Sequence, residues 1–256
     1  MISAQRRAMI LEQLRREGGG SIVGLSEIIG VSPSTIRRDL EFLTRGGYIE
    51  RSHGGAILKE QRHTTFEPAR EIGRHVAHDA KSRIGATAAA MLEPGQSVIF
   101  DSSSTVLEAA KIAADRDFRI TACTNDLGIA TALAAGKHLH VVVLGGTVRP
   151  GSLTMIGDPG LLFLERLHAD IAFVGVHSLA GGRLSETQID LAAMKRRMID
   201  CATRAVVLAD STKFNHPAFC DVCAAAEIDT IVTDAAIADA DRDRLVEAGV
   251  EVVIAR

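Results

Sequence analysis

From residue 84 onward the chain alternates between two kinds of segment. Short, uninterrupted apolar runs at 97–100, 120–123, 140–144, 171–174, 205–208, 230–232 and 250–254 are separated by stretches at 84–92, 105–114, 127–135, 159–167, 189–202 and 239–248 with helical spacing or alanine-rich composition. A strand that is apolar at every position has both faces covered, and strands alternating with helices are the pattern of a parallel sheet packed between helical layers. With 8 Phe, one Tyr and no Trp, the core must be built from Ala, Val, Ile and Leu, which suits that architecture. The alternation therefore predicts a mainly parallel, doubly wound α/β domain, and no internal repeat cuts across it.

In open α/β sheets ligands bind beyond the carboxyl ends of the strands, and here those ends carry polar residues. The first is Asp101-Ser102-Ser103-Ser104-Thr105, running into a helix whose free N–H groups and hydroxyls suit an anion. The others are Thr124-Asn125-Asp126, then Gly145-Gly146-Thr147 with Arg149 nearby, then Gly175-Val176-His177-Ser178, and finally Asp210-Ser211-Thr212-Lys213. Each alone is an ordinary turn or helix cap. Together, at one end of one sheet, they predict a crevice for a phosphorylated polyol. Asp101, Asp126, Asp190 and Asp210 are spread one to a loop, without an evident acid–base pair. No catalytic residue, cofactor or metal is assigned. The remaining alternative at this level is a sugar-phosphate isomerase or deaminase with an accessory N-terminal head.

That head has its own order. Residues 6–17 have the Ile10, Leu11 and Leu14 stripe of a helix, closed by Gly18-Gly19-Gly20. A short helix follows around 25–29, then a tight turn at Gly30-Val31, where glycine can take positive φ. In the third helix Ser32 is a good N-cap and Pro33 sits where its missing N–H costs nothing. Ile36, Leu40 and Leu43 share one face; Ser34, Arg38 and Glu41 lie opposite, flanked by Thr35 and Arg37. A helix docked by one side and offering small hydroxyls and two guanidiniums on the other is equipped to enter the major groove of double-stranded DNA. After Gly46-Gly47, residues 48–51 and 56–58 form a hairpin turned at His53-Gly54-Gly55, a wing that would set Arg51 and His53 against the phosphate backbone or minor groove. Residues 1–62 hold ten Lys/Arg and seven Asp/Glu, a balance of +3 in a chain of net charge −3, so the basic part is the part that would meet phosphates.

The boundary is expected in the polar stretch around Pro68, giving a winged helix-turn-helix over 1–59, a linker over 60–74 and an α/β domain over 75–256. His75 and His78, three apart on the expected next helix, lack the further ligands a metal needs. Cys123, Cys201, Cys220 and Cys223 are too few for a disulfide framework, and the lone C-x-x-C reads as packed thiols. The first twenty residues carry scattered arginines and no apolar core for a signal peptide, and no run reaches membrane-spanning length. A soluble, cytoplasmic protein without membrane contacts is expected.

The stretch VSPSTIRRDLEFLTRGGYIERSHGGA resembles the N-terminal signature of the DeoR family of bacterial regulators, and IFDSSST, TNDLGIA, LGGTVRP, DIAFVG, KRRMI and LADSTKF resemble its sensor domain over about 75–235. The resemblance implies a repressor of a carbohydrate operon, with Ser34, Thr35, Arg37 and Arg38 at the operator. It implies a sensor similar in fold to ribose-5-phosphate isomerase. Residues 101–105 would then cradle the phosphate of an effector, while Asn125, Lys195 and Lys213 approach its sugar. A homo-oligomer is expected, because paired half-sites lie ~34–36 Å apart. Three positions depart from the family pattern: Ser103 in the place of a glycine, Gly175-Val176-His177-Ser178-Leu179 in the place of G-x-x-G-I, and Leu191 in the place of an acid four residues before Lys195.

Overall fold

A computed structural model describes residues 1–59, 63–214 and 216–256. The chain divides into two compact units, 1–78 and 79–256. The first contains α1 (Ser3–Glu17), β1 (Gly20–Ser21), α2 (Ile22–Ile29), α3 (Pro33–Arg45), β2 (Ile49–Ser52), β3 (Gly55–Leu58) and α4 (Arg70–Gly73). Ser32 caps α3 by accepting from the Thr35 N–H, with Pro33 in the first turn. Gly30 closes α2 at φ 74°. Strand β3 pairs antiparallel with β2 to make the wing and with β1 on its other edge. Ile10, Leu14, Leu25, Ile36, Leu40, Leu43 and Ile49 form the core, each under 2% exposed, so the three helices bury their apolar stripes against one another and the wing.

The unit boundary lies between His78 and Asp79, later than composition suggests. The first residues of the expected linker, 60–62, lie outside the described residues. Its later part packs on the winged helix. Ile72 is buried in that core, Phe66 meets Tyr48 edge-on at 5.4 Å, and the Ala69 N–H donates to Tyr48 Oη at 2.6 Å. Two apolar anchors in a polar stretch suffice to fold it back. His75 and His78 do not share a helix: Ala77, at φ 52°, separates them.

The second unit runs α5 (His78–Ala89), β4 (Ser97–Phe100), α6 (Ser104–Ala114), β5 (Ile120–Thr124), α7 (Leu127–Ala134), β6 (Leu139–Val143), β7 (Thr147–Val148), β8 (Met155–Ile156), α8 (Gly160–Leu164), β9 (Ala169–Gly175), β10 (Ser178–Ala180), β11 (Arg183–Glu186), α9 (Ile189–Asp200), β12 (Ala202–Leu208), β13 (Cys220–Ala224), β14 (Thr230–Asp234), α10 (Asp239–Glu247) and β15 (Glu251–Ala255). Seven strands form one parallel sheet in the order β15-β14-β12-β9-β4-β5-β6. Its two faces feed two apolar layers. Phe100, Ile171, Phe173 and Val206 face α5, α6 and α7, whereas Ile99, Ala172, Val174 and Val207 face α8, α9 and α10. The doubly wound expectation holds, with one addition. A three-stranded antiparallel sheet, β10-β11-β13, packs through Leu184, Val222 and Cys223 against the second layer. These strands are three to five residues long, and sequence periodicity is uninformative over such lengths.

The strand order fixes where a ligand can sit. The chain leaves β4 toward β5 and β6, then returns to β9 on the other side of β4. The crevice at such a reversal, outside the carboxyl ends, is where open α/β sheets bind ligands. Here it lies between Asp101 and Gly175.

Candidate nucleic-acid interface and ligand crevice

In the first unit the polar face of α3 is open. Ser32, Ser34, Arg37 and Arg38 are exposed and Thr35 half-exposed. The Ser32 hydroxyl lies 2.9 Å from both the Ser34 and Thr35 hydroxyls, gathering three small donor–acceptor groups at the positive end of the helix. Arg37 and Arg38 have no carboxylate partner among the described residues, and Arg51 and His53 stand exposed on the wing. What aims α3 is a residue that sequence reading passed over. Asp39 is 2% exposed and accepts from Arg6 Nε at 2.5 Å and Arg7 Nε at 2.9 Å, while the Arg7 guanidinium lies 3.6 Å over the Phe42 ring. The clamp ties α3 to α1 from behind and leaves Arg37 and Arg38 forward. An acid on the buried stripe of a helix was the available signal, since carboxylates are almost never fully buried unpaired.

In the second unit the predicted residues separate. Asp101 is 1% exposed at the end of β4. Its Oδ1 accepts the Ser103 N–H at 2.8 Å and its Oδ2 the Gly175 N–H at 3.0 Å. Lys195 Nζ stands 3.2 Å from Asp101 Oδ2, donates to Gly175 O at 2.7 Å, and pairs with Glu186 Oε1, which also accepts the His177 N–H at 3.1 Å. Burial alone would lower the pKa of Lys195, but Asp101 and Glu186 more than reverse this, and it is held above the usual lysine value. Burial pushes Asp101 up, against the opposing pull of Lys195 and the Ser103 N–H. The cluster joins β4, β9, β11 and α9 at the strand-order reversal.

Glu186 is the residue sequence reading missed. The signal was Lys195 itself, which lies on the buried stripe of α9 with Leu191, Ala192, Met194 and Met198 and therefore requires a carboxylate. Neither neighbour considered in the sequence supplies it: Asp190 is exposed and Leu191 is buried in the apolar layer.

Ser103 caps α6, its hydroxyl accepting the Val106 N–H at 3.1 Å. A Cβ on Gly175 would lie 2.2 Å from Ser103 Oγ, so serine fits here because residue 175 is glycine. Ser102 and Ser104 are half-exposed and their hydroxyls have no hydrogen-bond partner among the described residues, whereas Thr105 turns inward at 4% exposure. Asn125, buried one residue beyond the Phe100–Thr124 pair of β4 and β5, donates through Nδ2 to Met155 O at 3.0 Å, and its enclosed Oδ1 has no partner among the described residues. Gly145 and Gly146 follow β6 in the open; a Cβ on Gly146, at φ 139°, would stand 2.6 Å from Ile156 O, so this glycine is required by the backbone crossing. Arg149 is half-exposed in the same segment, its N–H bonded to Thr154 O at 2.9 Å. Lys213 ends the 3₁₀ turn Ser211–Lys213 beyond β12, half-exposed. Gly145 and Lys213 follow strands four spacings apart, roughly 19 Å at ~4.8 Å per strand, on either side of the central loops after β4 and β9.

The thiols are packed: burial pushes Cys123 up to about 12 and Cys201 and Cys223 up to about 11. Among the described residues no group of three or more His, Cys, Asp or Glu is placed to hold a metal, and no helix is long and apolar enough to cross a membrane.

Comparison with known proteins follows the same division. The family model described as a DeoR-like helix-turn-helix domain matches residues 6–62, and that of the DeoR C terminal sensor domain matches 76–235. The chain is 32% identical to the HTH-type transcriptional regulator GlpR of Haloferax volcanii, covering 99% of this chain and 98% of that one. It is 28% identical to the HTH-type transcriptional repressor GlcR of Bacillus subtilis, covering 99% and 97%. Ribose 5-phosphate isomerase A of Methanocaldococcus jannaschii aligns with 54% of the chain and 55% of its own, at 14% identity and a TM-score of 0.41.

Proposed function

The chain belongs to the DeoR family of transcriptional regulators, and from that premise we propose that it represses a carbohydrate catabolic operon and is released from its operator by a phosphorylated sugar. Its relatives are named as regulators and it carries their helix-turn-helix, so it is a regulator and not an enzyme. The observation that carries the DNA reading is the face of α3: three clustered hydroxyls and two arginines unpaired among the described residues, held forward by a buried ionic clamp. In this reading Ser32, Ser34 and Thr35 meet phosphates, Arg37 and Arg38 reach guanine edges in the major groove, and Arg51 and His53 brace the wing on the backbone. Two copies read two half-sites, as a homo-oligomer working in the cytoplasm. The effector's phosphate sits at the N-terminus of α6 on the backbone N–H groups and the hydroxyls of Ser102 and Ser104, with the sugar toward Asp101 and Asn125.

Fluorescence anisotropy with DNA from the protein's own promoter region tests the first half. Tight binding that prefers that sequence and weakens steeply with salt is expected; equal binding to random DNA overturns it. Thermal shift with monosaccharide phosphates tests the second, because a ligand of the folded state must raise the melting temperature.

A further inference from the structure

An ammonium has three N–H donors, and Lys195 already uses all of its own, on Gly175 O, Asp101 Oδ2 and Glu186 Oε1. It has none left for a ligand. Asp101 is engaged at both oxygens, one by the Ser103 N–H and the other by the Gly175 N–H and Lys195. Glu186 differs. Its Oε1 takes Lys195 and the His177 N–H, while its Oε2 has no hydrogen-bond partner among the described residues and is not among the atoms sealed from the surface. The residue as a whole is 4% exposed. A carboxylate gripped by one oxygen and open at the other presents an acceptor at the mouth of an otherwise enclosed cluster.

A second acceptor follows β5, two strands from β9 in the parallel sheet. Asn125 Oδ1 is sealed from the surface and unpartnered among the described residues, and its orientation is fixed because Nδ2 must face Met155 O. An acceptor left without a donor is unfavourable, so Glu186 Oε2, the open one, calls for a donor. The phosphate needs donors too, and the α6 N-terminus supplies those. The two ends of the crevice are thus opposite in hydrogen-bonding sense.

We infer that Glu186 is the specificity-determining residue of the crevice: its free oxygen receives a hydroxyl or ammonium donor of the sugar. Lys195 is a positioning residue that holds Glu186 and does not touch the ligand. This rests on the sugar-phosphate reading above. It also gives Leu191 a physical sense, since the acid absent from α9 is supplied from β11.

The test uses the full chain and isothermal titration with inorganic phosphate, glucose 6-phosphate, glucosamine 6-phosphate, other monosaccharide phosphates and deoxy analogues of the tightest binder. Glu186→Gln is expected to weaken that binder ~10–100-fold, the range for a charged hydrogen bond, and to leave inorganic phosphate unchanged. Removing one particular donor from the ligand should cost the unaltered protein the same factor and cost Glu186→Gln nothing more. The double variant Lys195→Met/Glu186→Gln should bind no worse than Glu186→Gln alone. Equal affinity of Glu186→Gln for the binder, equal losses for every deoxy analogue in both proteins, or a further loss in the double variant overturns the inference while leaving the effector reading intact. If Glu186→Gln does not fold, the analogues on the unaltered protein decide: no single donor worth tenfold overturns it. If no sugar phosphate binds the unaltered protein, both readings fall.

Discussion

Replacing Asp39 by alanine should uncouple α3, the helix proposed to read DNA, from the rest of its unit. The carboxylate is 2% exposed and holds two guanidiniums whose side chains are 16% and 20% exposed. Breaking a fully buried pair costs ~3–5 kcal/mol; partial hydration of the two arginines reduces this to about 2–3 kcal/mol. In a 78-residue unit, an unfolding entropy of ~2.1 cal/mol/K per residue is about 0.16 kcal/mol/K, so the melting temperature should fall by roughly 12–18 °C. Asp39→Asn keeps the shape and two acceptor contacts at most, and should lie between. The assay is calorimetry of the full chain beside operator binding by anisotropy. A lower-melting first unit, an unchanged melt of the second and operator affinity weakened at least tenfold are expected. An Asp39→Ala protein that melts within 2–3 °C of wild type and binds operator normally would refute the claim that the clamp orients α3.

Arg38→Ala should cost ~1–3 kcal/mol at the preferred site and relax its specificity, whereas Arg51→Ala should weaken all sequences alike and reduce the salt slope by about one; anisotropy on matched and scrambled DNA separates them. Lys195→Met leaves Asp101 and Glu186 buried without their cation and should destabilise the second unit by ~3–5 kcal/mol. Burial already raises Asp101 above its unfolded value, and losing the cation raises it further, so its protonated form favours folding. The deficit should therefore shrink as pH falls from 7 toward 5, and a deficit constant over that range in urea melts contradicts the assignment. Gly175→Ala drives a methyl to within 2.3 Å of Ser103 Cβ and should destabilise by more than ~2 kcal/mol, with Ser103→Gly restoring most of the loss in a double-mutant cycle.

Much of this molecule was legible from local pattern. The Ser-Pro start of α3 and its apolar stripe are properties of neighbouring residues, as are the strands of the parallel sheet, because 3.6-residue spacing and continuous apolar runs are written along the chain. The exposed polar face of α3, the α/β class and the family were therefore within reach before any coordinates. What the tertiary structure decided is which groups meet. Asp39 finds Arg6 and Arg7 more than thirty residues away, and Lys195 finds Asp101 and Glu186 from two other strands. The sequence placed a lysine among apolar residues on one helical face without naming its partner, since a buried charge demands compensation but any element the fold brings near can supply it. Strand order, invisible in local periodicity, set β9 beside β4 and so drew Asp101, Gly175 and Glu186 together, with the glycine and lysine loops on either side.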